Sequence, residues 1–271
     1  MYRKKLEVRL LLEAVYTLSG YDFRKYNQQS ILRRIEHRMR LNNFSSISQL
    51  TESIIYDKEL LKVLLNDFSI NVTEMFRDPS FFRAFREEII PQLKQLDKIR
   101  IWHAGCATGE EVYSMAILLQ EEGLLDRTMM YATDMNEDVL KKAEQGAFPL
   151  HKMQAYTKNY ILAGGTESFS QYYKTDDSFA TFQPYLSENI MFAQHNLATD
   201  KSFQEFDIII CRNVLIYFTP ELQHEVHHLF YDSLARNGYL GLGDKETLQF
   251  TPLVSKYRTV NGTERIYQKR F

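Results

Sequence analysis

Nine consecutive residues, His103-Ala104-Gly105-Cys106-Ala107-Thr108-Gly109-Glu110-Glu111, join a short apolar run, IRIWHA, to a helical pattern, EEVYSMAILLQEE. Small side chains let the backbone approach a ligand closely, and the helix that follows offers free N–H groups. The stretch is not G-x-G-x-x-G, and it lacks the lysine of a phosphate-binding loop. Two glutamates at a helix start would repel a pyrophosphate and would suit a ligand with a positive charge. Asp134 closes the next apolar run, TMMYATD, 25 residues beyond Gly109. A carboxylate at that strand end, roughly 20 residues after such a loop, accepts hydrogen bonds from ribose hydroxyls. A nucleoside carrying a cationic group in place of phosphates describes S-adenosylmethionine. Each acid also fits a plainer part: Glu110 and Glu111 as first-turn acids favoured by the helix dipole, Asp134 as an N-cap. Together, in this strand order, they favour the ligand.

The elements that must position these residues follow from periodicity. Residues 1–95 read as helical, with LEVRLLLEAVYTL, QSILRRIEHRMRL, SISQLTESI and KELLKVLLNDF each placing apolar residues at three- and four-residue spacing. From about residue 99 short apolar runs alternate with helical patterns, continuing through NIMFAQ, FDIIIC, PELQHEVHHLFYDSL and YLGLG. That alternation predicts an α/β fold, a mostly parallel Rossmann-like sheet behind a small all-helical domain. SKYRTV and ERIYQKRF, around Asn261-Gly262, predict a terminal hairpin. Residues 147–187 break the alternation, and QYYKTDDSFATFQPYL predicts a small antiparallel β insertion. The expected domains are 1–75, helical and basic; 76–98, a connecting segment; and 99–271, the catalytic domain.

Four strings, INVTEMFRD at 70–78, IWHAGCATGEEVYSMA at 101–116, YATDMNEDVLKKA at 131–143 and FDIIICRNVLIYF at 206–218, resemble the chemotaxis receptor methyltransferases, the CheR family. The resemblance runs in order over nearly the whole chain. It implies a protein-glutamate O-methyltransferase that moves a methyl group from S-adenosylmethionine to glutamate side chains on the cytoplasmic helices of chemoreceptors, leaving S-adenosylhomocysteine. By that resemblance Asn71, Thr73 and Arg77 reach the cofactor, with Gly105 in its loop. Glu111 binds the methionine amino group, Asp134 the ribose, and Asn196 and Leu197 flank the adenine. Arg212, Asn213 and Tyr217 complete the pocket, and Arg77 and Tyr217 are the candidate catalytic pair. The simpler reading of Arg77 is an ion pair with an acid such as Asp78, and that of Tyr217 is a core aromatic. Arg33, Arg34 and Arg40 lie opposite the apolar stripe Ile31, Leu32, Ile35 and Met39; they read either as a solvated face or as a guide for acidic receptor helices.

Three departures stand out: His103 in place of the family's usual Ser, Val112 in place of Pro, and Gly243-Asp244-Lys245-Glu246 where Gly-His-Ser-Glu is common. The last sits on the rim of the substrate cleft. No Arg occurs between Arg127 and Arg212, which favours an enzyme independent of a receptor tail peptide. Two rivals stay open: the same chemistry on a signalling protein outside chemotaxis, and a catalytically inactive S-adenosylmethionine-binding regulatory module.

Composition bounds the rest. The chain has 271 residues, 44 % hydrophobic and 25 % charged, with two cysteines, which excludes a disulfide framework and a four-ligand zinc site. No metal is expected: His224-Glu225-Val226-His227-His228 has the H-E-x-x-H spacing, but the methyl transfer that the resemblance implies needs no metal. No apolar run reaches the roughly 18 residues of a membrane span, and MYRKKLEVRL lacks a signal-peptide core, so a cytoplasmic monomer without membrane insertion is expected. Residues 1–50 carry ten Lys/Arg against four acids, while the whole chain is at −2. The basic front end therefore expects an acidic partner, and the acidic remainder disfavours nucleic acid.

Overall fold

The computed structural model describes residues 2–249 and 251–270. They divide into two compact units, one of residues up to Ile70 together with Leu215–Val226, the other of Asn71–Val214 with the chain from His227 onward.

The first unit is helical: α1 (Tyr2–Ser19), α2 (Gln28–Leu41), α3 (Ile47–Tyr56) and α4 (Lys58–Phe68). Each helix after the first starts on a side-chain oxygen that satisfies otherwise orphaned N–H groups. Asn27 accepts from Gln29 and Ser30, Ser46 from Gln49, and Asp57 from Glu59 and Leu60. The apolar stripes meet in a core of Leu11, Val15, Ile31, Ile35, Leu50, Ile54, Leu64 and Phe68. Phe23 stacks edge-on to Phe68 and Tyr26, and Tyr26 edge-on to Phe218. Arg38, on the flank of the α2 stripe, makes a two-point ion pair with Asp67 at 2.6 and 2.8 Å.

In the second unit, α5 (Pro79–Ala84) passes through a π turn, Phe85–Ile89, into α6 (Ile90–Leu93). The sheet follows: β1 (Ile99–Ala104), α7 (Glu110–Glu121), β2 (Thr128–Asp134) and α8 (Glu137–Gln145). Then come β3 (Ala147–Pro149), α9 (Met153–Leu162), β4 (Tyr173–Thr175), β5 (Phe179–Phe182), β6 (Ile190–Gln194) and β7 (Phe206–Cys211). Helix α10 (Pro220–Ser233), whose residues up to Val226 belong to the first unit, leads to β8 (Leu234–Leu242), β9 (Tyr257–Asn261) and β10 (Ile266–Lys269). The seven-stranded sheet has the order β6-β2-β1-β7-β8-β10-β9, and only β10 runs against its neighbours. Its central strands are buried on both faces from their third residues onward, which is why IRIWHA and FDIIIC read as mostly apolar runs rather than alternating ones. The expected α/β class with a helical N-terminal part is what the structure contains. The β insertion is an antiparallel sheet of order β3-β5-β4, and the hairpin around Asn261-Gly262 forms as β9 and β10.

The chain leaves β1 toward β2 and β6 on one side and returns to β7 on the other. The carboxyl ends of β1 and β7 are therefore the switch point of the sheet, where open α/β folds bind ligands.

Candidate functional site

The glycine loop stands at that switch point. Gly105 and Cys106 donate their N–H groups to the Thr133 carbonyl at 2.8 and 2.9 Å, hanging the loop from the end of β2. Gly105 sits at φ +80, and a Cβ there would lie 2.6 Å from a Val214 methyl carbon. Ala107 N–H donates to Asp134 Oδ2 at 3.0 Å, and Asn136 N–H to Asp134 Oδ1 at 2.9 Å. Both carboxyl oxygens are thus oriented by backbone, and each keeps acceptor capacity. Burial pushes the Asp134 carboxyl up despite these bonds. His195 N–H donates to the Asp134 carbonyl at 3.1 Å, which brings Asn196 and Leu197 beside the end of β2. Asn196 caps its own turn, accepting from Ala198 while its N–H donates to Asp200.

Adjacent residues of α7 have opposite environments because a helix turns about 100° per residue. Glu110 is buried and accepts from Thr108 Oγ1 at 2.6 Å and Tyr156 OH at 3.2 Å, and burial raises its pKa. Glu111 points elsewhere: His103 Nδ1 lies 3.0 Å from its Oε1, and Arg212 Nη1 donates to its Oε2 at 3.1 Å. Burial raises this carboxyl too, but the hydrogen bond from His103 and the charge of Arg212 outweigh it and hold Glu111 below the usual carboxylate range.

Arg212 ties three segments together. Besides Glu111 it donates through Nη2 to the Arg77 carbonyl at 3.0 Å and to Asp78 Oδ2 at 2.7 Å, and its guanidinium lies 4.2 Å over Phe81. Asp78 therefore pairs with Arg212, while Arg77 donates through Nη1 to the Val72 carbonyl at 3.2 Å. Non-glycine residues with positive φ gather here: Phe76, Asp78, Ala107 and Asn213, at 49°, 53°, 48° and 62°. Such backbone strain concentrates at functional sites.

Of the residues singled out from sequence, Arg77, Gly105, Asn196, Leu197, Arg212 and Asn213 fall on loops around the glycine turn, Glu111 on the first turn of α7 and Asp134 at the end of β2. Asn71 and Thr73 precede Arg77 in the same segment. Tyr217 belongs to the helical unit, where its carbonyl accepts from Asn27 N–H at 2.7 Å. Arg33 and Arg40 are exposed on α2 and Arg34 is half-buried. Sequence reading did not single out Glu246 as a site residue. Its buried carboxylate accepts N–H groups from Gly243, Asn213 and Val214 at 2.7, 3.0 and 2.9 Å, clamping the loops after β7 and β8. Its trace in the chain is an acid three residues after the glycine that follows β8, where the family's Gly-His-Ser-Glu also ends in Glu. The thiols of Cys106 and Cys211 are both buried and unbridged, and burial pushes each well up.

An anionic Glu111, an Asp134 carboxylate with acceptor capacity to spare and a glycine loop beside them form an acceptor set that suits a sulfonium nucleoside with an amino-acid tail. With this strand order, they define an S-adenosylmethionine-dependent methyltransferase. The chain belongs to the CheR methyltransferase family: residues 71–266 match its SAM binding domain and residues 6–69 its all-alpha domain. It is 45 % identical over 264 residues to the protein named Cher3 of Pseudomonas putida, covering 97 % of each chain. It is 30 % identical over 231 residues to a chemotaxis protein methyltransferase of Listeria innocua, covering 84 % of this chain and 85 % of that one. A 104.1 kDa protein of Rhodobacter capsulatus is 30 % identical over 94 % of this chain, which spans 27 % of its length. No helix among the described residues is long and apolar enough to cross a membrane.

Proposed function

We propose that the protein is a cytoplasmic protein-glutamate O-methyltransferase that modifies chemoreceptors in sensory adaptation. The observation that carries this is the Glu111 carboxylate, kept anionic by His103 and Arg212 beside the glycine loop of a chain in this family. Glu111 would hold the cofactor's ammonium and Asp134 its ribose, with Asn71, Thr73, Asn196, Leu197 and Asn213 completing the enclosure. When bound, S-adenosylmethionine supplies an electrophilic methyl group.

The chain's own task is then to place an acceptor oxygen and exclude water. A glutamate acceptor is already ionised near neutral pH, so no strong general base is required. Arg77 would hold that carboxylate through a charge-assisted pair and Tyr217 would donate a hydrogen bond to it. Arg212, whose donors go to Glu111, Asp78 and the Arg77 carbonyl, would act mainly by holding these groups in place. Residues 1–75 would face the receptor with Arg33, Arg34 and Arg40, residues 76–98 would connect, and residues 99–271 would carry the chemistry in a monomer that needs neither metal nor nucleic acid.

The test is transfer of labelled methyl from S-adenosylmethionine to the organism's own membrane fraction, followed by mild alkali. Label on receptor-sized bands, released as methanol, is the expected result. Label that resists alkali would refute carboxyl methylation.

A further inference from the structure

His103 is fully buried in the carboxyl end of β1, between the apolar side chains of Trp102 and Ala104 in sequence. A buried polar ring in such a strand needs a reason, because each unsatisfied nitrogen costs stability. One nitrogen has a partner, Nδ1 at 3.0 Å from Glu111 Oε1; the other, Nε2, is buried without a hydrogen bond. An ionised carboxylate can only accept, so the proton of the ring sits on Nδ1 and Nε2 is left as a bare acceptor. That is the less costly arrangement, since a charged ring would bury an unpaired N–H as well. Arg212 Nη1 holds the other oxygen, Oε2, at 3.1 Å. The carboxylate is thus gripped at both oxygens, from β1 and from the end of β7, and cannot rotate without breaking one of the two bonds. A serine hydroxyl at position 103 would end where the imidazole ring begins, so this grip depends on the longer side chain.

We propose that His103 is a positioning residue for cofactor recognition, its Nδ1–H fixing the Glu111 carboxylate against the ammonium of the methionine tail. The inference rests on the reading of Glu111 as the ammonium's partner. It separates two parts of the ligand: the amino-acid tail, whose binding needs the fixed carboxylate, and the nucleoside, whose binding does not.

Calorimetric titration of the whole chain with S-adenosylhomocysteine and with 5′-methylthioadenosine, which lacks the amino-acid tail, tests this without reference to turnover. In His103→Leu the affinity for S-adenosylhomocysteine should fall on the order of ten- to a hundredfold, the range of one hydrogen bond to a charged group. Affinity for 5′-methylthioadenosine should stay within about twofold, which also reports that the variant is folded. His103→Asn, whose amide nitrogen can stand where Nδ1 stood, should recover most of the loss. Equal weakening of both ligands, or no recovery in His103→Asn, would assign His103 a packing role and overturn the proposal. Glu111→Gln separates the two levels. If it leaves S-adenosylhomocysteine affinity unchanged, the reading of Glu111 falls and this inference with it. If it weakens binding while His103→Leu does not, only the role of His103 is lost.

Discussion

Arg212 and Asp78 stand 134 residues apart in the chain and 2.7 Å apart in space, and the same guanidinium nitrogen that meets Asp78 also meets the carbonyl of Arg77. The segment carrying Arg77 is thereby tied to the end of β7, and through Glu111 to the first turn of α7. Its left-handed residues, Phe76 and Asp78, are held against their own preference by contacts of this kind.

Removing that hub should be costly. Arg212→Ala leaves the largely covered Glu111 and the more exposed Asp78 without their shared cation, and loss of such charge-assisted hydrogen bonds costs about 1–3 kcal/mol. Arg212→Lys keeps the charge but cannot reach three acceptors with a planar fork, so it should recover only part of the loss. Urea unfolding monitored by circular dichroism measures both.

Glu246 makes a sharper test of the loops after β7 and β8. Its two oxygens take three backbone N–H groups. Glu246→Gln replaces one acceptor with a donor that faces another donor, at a cost of about 1–3 kcal/mol. The midpoint of thermal unfolding should drop accordingly, whereas Asp244→Ala, on the exposed rim of the same turn, should leave it unchanged.

Gly105 is required for two separable reasons. Its φ of +80 strains any other residue, and an added Cβ would press on Val214 at 2.6 Å. Gly105→Ala should weaken S-adenosylhomocysteine binding, and adding Val214→Ala should restore the steric part while leaving a backbone cost of roughly 1–2 kcal/mol. Calorimetry on the single and double variants distinguishes the two.

The neighbouring acids should respond to pH with opposite sign. Glu111 lies below its ordinary value of 4.5 in the folded protein, so it contributes stability above that pH, lost as pH falls through its lowered value. Glu110 lies above 4.5 through burial, so its contribution is present at low pH and lost as pH rises through its raised value. Relative to the parent, Glu111→Gln should become more destabilising as pH is raised from about 3 toward neutrality, and Glu110→Gln less so. Denaturant titrations across that range decide it.

On α2, three arginines within about two turns of one another should behave differently. Arg38 is paired with Asp67 on a partly covered surface, so Arg38→Ala should destabilise the helical unit by about 1–3 kcal/mol. Arg33 and Arg40 are exposed. Reversing both to Glu should leave stability and S-adenosylhomocysteine affinity unchanged while lowering methyl transfer to receptors, and parent activity on receptors should fall with salt.

By itself the chain determined its elements and its chemistry-bearing turn. Helical spacing over most of the first 95 residues, apolar runs after 99, the β insertion and the Asn261-Gly262 hairpin are local properties, written in side-chain period and turn residues, whereas residues 69–78 read as helical and are not. The glycine loop, the paired glutamates and Asp134 were legible for the same reason, since they lie within a single strand-loop-helix unit and the strand that follows. What only the tertiary structure decided is which groups meet. Neighbouring glutamates look alike in sequence, and helix geometry turns one into a covered pocket with Tyr156 and the other toward His103 and Arg212. Asp78 could have paired with Arg77 beside it and pairs instead with Arg212, and Glu246 clamps Asn213 from 33 residues away. Such pairings depend on strand order and on where the backbone leaves unsatisfied donors, and neither is a property of any short stretch of sequence.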